Sequence, residues 1–127
     1  MFLVISNSSQ TPIYEQIATQ IKDKILSGEL SAGEQLPSIR GLAKDLRISV
    51  ITTKRAYEEL EHAGYVEMIS GKGCFVSSTN KELIKEEVLK AIEGNLTGAI
   101  NLARKIGFSK ESLSELLEFL YEEVTDE

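Results

Sequence analysis

Ile13, Ile17, Ile21 and Ile25 recur every fourth residue with Tyr14 and Ala18 beside them, a pattern that predicts an amphipathic helix. Thr11 is placed to cap it, Pro12 to take its first position, where a missing N–H costs nothing, and Gly28 to stop it. Residues 28–37 then read as a structured connection, with Leu30 and Leu36 tucked into the core. Ser38 caps a short second helix whose Ile39, Leu42, Ala43 and Leu46 make one apolar stripe, ending near Arg47. Ser49 caps a third helix in which Thr53, Ala56, Tyr57 and Leu60 face inward, and Gly64 ends it. Val66 to Ile69 and Cys74 to Val76 flank Ser70-Gly71-Lys72-Gly73, the pattern of a hairpin with a glycine-rich tip.

Three helices and a hairpin, with the second and third helices joined by a very short turn at Arg47-Ile48, describe a winged helix-turn-helix. A polar hinge follows at Ser77-Ser78-Thr79, and the pattern changes. Ile84, Val88, Ile92, Leu96, Ile100 and Ala103 trace one long helical stripe, which Gly94 and Gly98 could kink or interrupt before Gly107 ends it. Ser109 caps a last helix with Leu113, Leu116, Leu117, Leu120 and Val124 on its apolar face. The expected architecture is therefore mostly α with a small β-hairpin: a winged helix-turn-helix over residues 1–79 and a C-terminal α-helical hairpin over 80–127. A two-helix hairpin of that length cannot bury two such faces by itself. It needs a partner, most simply a second copy of the chain, across a dimerisation surface of Ile84, Val88, Ile92, Leu96, Ile100, Leu113, Leu116, Leu117 and Leu120.

The 127 residues exclude a large multidomain enzyme, and 42% hydrophobic with 27% charged residues is the composition of a folded, soluble chain. The short apolar run Phe2 to Ile5 has no basic residue before it and no long apolar stretch after it, so neither a signal peptide nor a membrane span is expected. One cysteine and one histidine exclude an internal disulfide and a histidine-rich metal site, and point to a reducing, cytoplasmic setting. The net charge of −6 argues at first against nucleic acid, yet it is unevenly spread. Residues 1–79 hold eight basic against nine acidic side chains, and residues 80–127 six against eleven. Between Leu36 and Arg55 stand Arg40, Lys44, Arg47, Lys54 and Arg55 against Asp45 alone. Local sign decides what a surface attracts, and this one attracts anions.

The run Gly28-Glu-Leu-x-x-Gly-x-x-Leu-Pro-Ser-x-Arg40, then Leu42-Ala43, Ile48-Ser49, Thr52-x-x-x-Ala56, Leu60-Glu61-x-x-Gly64 and Gly71-x-Gly73-x-Phe75-Val76, resembles the GntR family of bacterial transcription regulators over residues 11–76. The tail is similar to that of the YtrA subfamily, in which a short pair of dimerising helices replaces a large effector-binding domain. The resemblance implies a sequence-specific regulator, most simply a repressor, bound as a homodimer to an inverted-repeat operator in double-stranded DNA. It implies that Arg40, with Ser38 beside it, grips phosphate or base near the recognition helix. Similar proteins often carry Arg where Val50 stands, and this chain lacks that guanidinium.

The residues argue for DNA on their own terms as well. The third helix presents Ser49, Val50, Ile51, Thr52, Lys54 and Arg55 at its N-terminal end, away from the Ala56 and Leu60 face, which is the end a recognition helix inserts into the major groove. Val50 and Ile51 suit thymine methyls, while Ser49 and Thr52 offer hydroxyls and backbone N–H groups to phosphate. Gly71 and Lys72 at the wing tip suit a close approach to the minor-groove edge, although a hairpin turn needs glycine anyway.

Enzyme readings fare badly. His62 lies near a helix end with no nucleophile partner in the sequence, and Gly71-Lys72-Gly73 lacks the spacing of a phosphate-binding loop. Cys74 reads as a small buried strand residue before it reads as a thiol sensor. Glu86, Glu87, Glu122 and Glu123 read as solvated helix faces. Neither cofactor nor membrane partner is expected, and so short a tail leaves little room for a buried effector pocket. The competing class is a winged-helix protein–protein interaction module without specific DNA binding.

Overall fold

A computed structural model describes residues 1–79 and 81–124, the last of these by its backbone alone, so the Val124 side chain that ends the terminal stripe lies outside what is described. The elements run α1 (Ile13–Ser27), α2 (Ile39–Leu46), α3 (Val50–His62), β1 (Val66–Ile69), β2 (Gly73–Val76), α4 (Lys81–Lys105) and α5 (Lys110–Val124). The fold is the mostly helical winged helix-turn-helix with two further helices that the residue pattern predicts. By contacts the chain divides into two compact units, Met1–Ile84 and Lys85–Glu127.

The first unit has one core. Ile17, Ile21, Ala56, Tyr57 and Leu60 are fully or almost fully buried, and Leu30, Leu36, Leu42, Val66, Cys74 and Val76 close around them. The inward side of α1 meets the inward side of α3, as the fourfold isoleucine spacing requires. Thr53 is buried too, and its hydroxyl donates to the Ser49 carbonyl one turn back at 3.2 Å, so no polar atom is stranded.

The entry to α1 differs from expectation. Pro12 is itself the cap residue in an extended conformation, with no side-chain cap, and its carbonyl accepts from the backbone of Glu15 and Gln16. Thr11 does not cap; its carbonyl accepts from the Gln16 amide at 2.9 Å. The reason lies upstream. Gln20 and Gln16, one turn apart, each exchange two hydrogen bonds with the backbone, Gln20 at Val4 and Gln16 at Ser6, so an extended N-terminal segment is laced along α1 with Leu3 turned into the core.

The connection between α1 and α2 also does more than connect. Gln35 bridges Phe75, the Leu36 N–H donates to the Cys74 carbonyl at 2.8 Å, and the Val76 N–H donates to Glu34 at 2.8 Å. It acts as a short third strand beside β2. The antiparallel hairpin pairs Val66 with Val76 and Met68 with Cys74, and β2 starts at Gly73, one residue earlier than the apolar pattern indicates.

In the second unit α4 runs unbroken through Gly94 and Gly98. Each glycine costs a helix about 1 kcal/mol relative to alanine, which a 25-residue helix absorbs in its propagating turns. Gly107 closes the turn after it in a left-handed conformation, and Ser109 caps α5, its hydroxyl accepting from the Ser112 N–H at 3.0 Å. Ile92, Leu96, Ile100, Leu116, Leu117 and Leu120 are all exposed by between 42% and 49%, apolar surface that the chain does not itself cover. No helix among the described residues is long and apolar enough to cross a membrane.

Candidate nucleic-acid interface

The turn between α2 and α3 sets the site. Arg47 adopts a left-handed conformation, φ 57° and ψ 47°, and its N–H reaches back to the last carbonyls of α2. The Ile48 N–H follows at 3.0 Å from the Ala43 carbonyl, and its side chain packs on the core. Ser49 then starts α3: its hydroxyl accepts from the Thr52 N–H at 3.0 Å and donates to the Thr52 hydroxyl at 2.8 Å. Thr52 therefore still holds a proton to donate outward. The buried Tyr57 hydroxyl donates to the Pro37 carbonyl at 2.7 Å, which ties α3 to the residue before the α2 cap. Ser38 is that cap, accepting from the Gly41 N–H at 3.0 Å, and an added Cβ at Gly41 would stand only 2.9 Å from its hydroxyl.

On this frame Val50 is 47% and Ile51 80% exposed, with Thr52 half-buried and Lys54 exposed one turn further along. Arg40 is exposed at the first turn of α2. It forms no ion pair with Asp45: the ion pairs found among the described residues are Lys24–Glu29 and Lys90–Glu87. Arg55 is placed differently from its neighbours. Its guanidinium lies 3.8 Å from the centre of the Tyr14 ring, so it staples α3 to α1 while staying exposed.

The wing is held by a residue that the sequence pattern does not single out. The Gln35 amide donates to the Lys72 carbonyl at 3.0 Å, and a Cβ at Gly73, where φ is 121°, would meet that amide nitrogen at 2.8 Å. Gln35 and Lys72 are 37 residues apart, so no local spacing could have revealed the contact. The Lys72 N–H closes the tip onto Ile69 at 2.9 Å, leaving Gly71 and the Lys72 side chain exposed. Tyr14, which the Arg55 guanidinium covers, is the other neighbour that the pattern does not single out, because an aromatic on an inward helical stripe reads as core.

Of the tail residues expected at a dimerisation surface, Ile84 is buried and belongs to the first unit, whereas Val88 and Leu113 are half-buried and the other six expose broad apolar area. Burial takes Ile84 off that exposed stripe.

An open depression is lined by Arg55, Glu58, Glu59, Glu61 and His62, all from α3, and no nucleophile stands among them. No group of His, Cys, Asp or Glu among the described residues could hold a metal ion. Cys74 is buried, and burial, with the Glu61 charge second, pushes its thiol from near 9 up to about 11. Burial likewise raises the Tyr57 phenol. Both groups hold their protons longer in the folded state, so stability is full below about pH 9 and falls as the pH climbs from about 9 to 11. Thermal unfolding from pH 8 to 11 should show this decline, with a shallower one for Cys74→Ala; equal slopes would mean that the thiol plays no part.

Comparison with known proteins agrees with this geometry. A profile described as bacterial regulatory proteins, gntR family, matches residues 13–76. The chain is 37% identical over 111 residues to the HTH-type transcriptional repressor YtrA of Bacillus subtilis, covering 87% of this chain and 85% of that one. It is 35% identical over 107 residues to the regulator YhcF of the same organism, covering 84% and 88%. Among solved structures, a transcriptional regulator from Oenococcus oeni superposes with a TM-score of 0.77 at 28% identity, covering 94% of this chain and 99% of that one. YtrA from Sulfolobus acidocaldarius, a GntR-family transcription factor, superposes with a TM-score of 0.61 at 32% identity over 97% and 99%.

Proposed function

The chain belongs to the GntR family of bacterial transcription regulators, and on that premise we propose that it is a homodimeric repressor that acts by occupying an inverted-repeat operator. The observation that carries this reading is the solvent-facing N-terminal end of α3. Val50, Ile51 and Lys54 stand exposed there with Thr52 half-buried among them, and the exposed Arg40 takes part in neither ion pair found among the described residues. A helix end held in that way fits the major groove, with Ser38, Arg40, Ser49 and Arg55 toward the flanking phosphates and Gly71 and Lys72 at the wing edge. Residues 1–79 carry the DNA contact and residues 80–127 the dimer, and binding needs no cofactor. The description of the Bacillus relative as a repressor supports blocking of transcription over its activation.

Selection of bound fragments from the source genome tests this. A two-fold dimer must find its two groove segments on one side of the duplex, so the fragments should share an inverted repeat with half-site centres about 10 bp apart or a multiple of that. Val50 and Ile51 offer methyl contacts, so at least one thymine per half-site should matter through its C5-methyl. Uracil at that position should weaken the wild type and hardly change the Val50→Ala, Ile51→Ala double variant. The absence of a repeat would overturn the operator reading. Binding that ignores salt would favour a protein interface, since phosphate contacts weaken steeply as counterions compete.

A further inference from the structure

Seven described residues have positive φ, and six of them are glycine: Gly28, Gly33, Gly64, Gly71, Gly73 and Gly107. The seventh is Arg47. A left-handed helix end is the ordinary place for glycine, because any Cβ there crowds the following carbonyl. The chain nevertheless carries an arginine in that position, at the turn between α2 and α3. Its side chain is exposed, and neither ion pair found among the described residues involves it. Nothing within the described fold accounts for the guanidinium.

Its position in the helix does. Arg40 and Lys44 are spaced i, i+4 on α2, hence on one face, and Arg47 is the cap that follows the last turn of the same helix. Leu42, Ala43 and Leu46 hold the core-facing side, and Asp45 lies away from the basic stripe. From Arg40 to Arg47 is about 10 Å along the axis, far enough for the two guanidinium groups to reach different phosphates of one DNA strand. The helix preceding a recognition helix crosses the duplex backbone.

We propose that Arg47 is a phosphate-binding residue, which extends the Arg40 contact along α2 at the expense of backbone strain in the turn. This rests on the DNA reading above and adds to it a residue chosen against local stability. A structural role and a binding role therefore predict opposite results for one substitution. Arg47→Gly relieves the strain, so the full-length variant should melt about 3–5 °C higher than the wild type. It should also bind DNA about fivefold to tenfold more weakly, with the log–log salt slope flattened by about one per protomer. Arg47→Lys, which keeps the charge, should recover most of the affinity.

The probes are the selected operator fragment and a 40-base-pair duplex of mixed sequence, whose binding needs only phosphate contacts. Both should lose affinity to the same extent with Arg47→Gly, because a phosphate contact carries no sequence information. Lys90→Ala, in the tail, should leave binding unchanged. If Arg47→Gly binds both duplexes like the wild type while Arg40→Ala weakens them, this proposal falls and the DNA reading stands. If Arg47→Gly melts lower than the wild type, the arginine serves the fold and the proposal falls. If the wild type binds neither duplex, both readings fall together.

Discussion

Cut after Ile84, the chain should fold as a monomer and bind a full operator about 10²- to 10⁴-fold more weakly than the intact protein. Every residue of the core cluster lies between Leu3 and Val76, so the first unit keeps its own hydrophobic interior without the tail. The cut belongs after Ile84 and not at the polar hinge, because Ile84 is only 9% exposed and falls in that unit. What is removed is the part of α4 and the α5 that carry Ile92, Leu96, Ile100, Leu116, Leu117 and Leu120, each with nearly half of its surface open to water. Two such faces in water are costly, at roughly 25 cal/mol for each Å² of apolar surface left uncovered. Pairing them with a second copy joins two DNA-binding units, and the second half-site is then bound at a high effective concentration. Sedimentation and fluorescence anisotropy on a full operator and on a single half-site would check this. The loss should be confined to the full operator, and an intact chain that sediments as a monomer at micromolar concentration would overturn the dimer.

Tyr57→Ala should cost the winged domain about 3–5 kcal/mol, a large part of the 5–15 kcal/mol that typically holds such a domain folded. The ring is completely buried among the α1 and α3 isoleucines and leucines, so its removal forfeits the transfer energy and leaves a cavity. Tyr57→Phe separates the hydroxyl from the ring. It keeps the packing but leaves the Pro37 carbonyl without its 2.7 Å donor, at a cost of about 1–3 kcal/mol. Urea denaturation of the three proteins gives both numbers. The Phe variant should also bind DNA somewhat more weakly in proportion, since that hydrogen bond holds the start of α2 against α3. A Phe variant as stable as the wild type would mean that water replaces the phenol at Pro37.

Much of this protein was legible in its sequence, because the deciding forces are local. The isoleucines of α1, the Ser38 and Ser49 caps and the Thr53, Ala56, Tyr57 and Leu60 stripe each act within one or two helical turns, and periodicity records them directly. The exposed end of α3 followed from the same stripe, since the inward face determines which residues point out. The mostly helical winged fold was therefore readable from order and spacing alone.

The tertiary structure decided whatever depends on a residue distant in the chain. Thr11 has the chemistry of a cap, yet Gln16 and Gln20 hold the incoming strand so that Pro12 takes the cap position. Gln35 sets the wing through Lys72 and Gly73, and Arg55 of α3 rests on Tyr14 of α1, forty-one residues earlier in the chain. Ile84 shares the helical spacing of the tail stripe, but packing withdraws it from the exposed face. Gly94 and Gly98 weaken a helix without breaking it, and only the finished α4 shows that propagation prevails. Sequence alone determined which residues could form each element and which face each would bury, because those are nearest-neighbour effects of backbone geometry. Which polar side chains hold the elements to one another, and so which remain exposed to solvent, was decided only when the chain closed on itself, because a hydrogen bond or a stacked ring needs two partners brought together by everything between them.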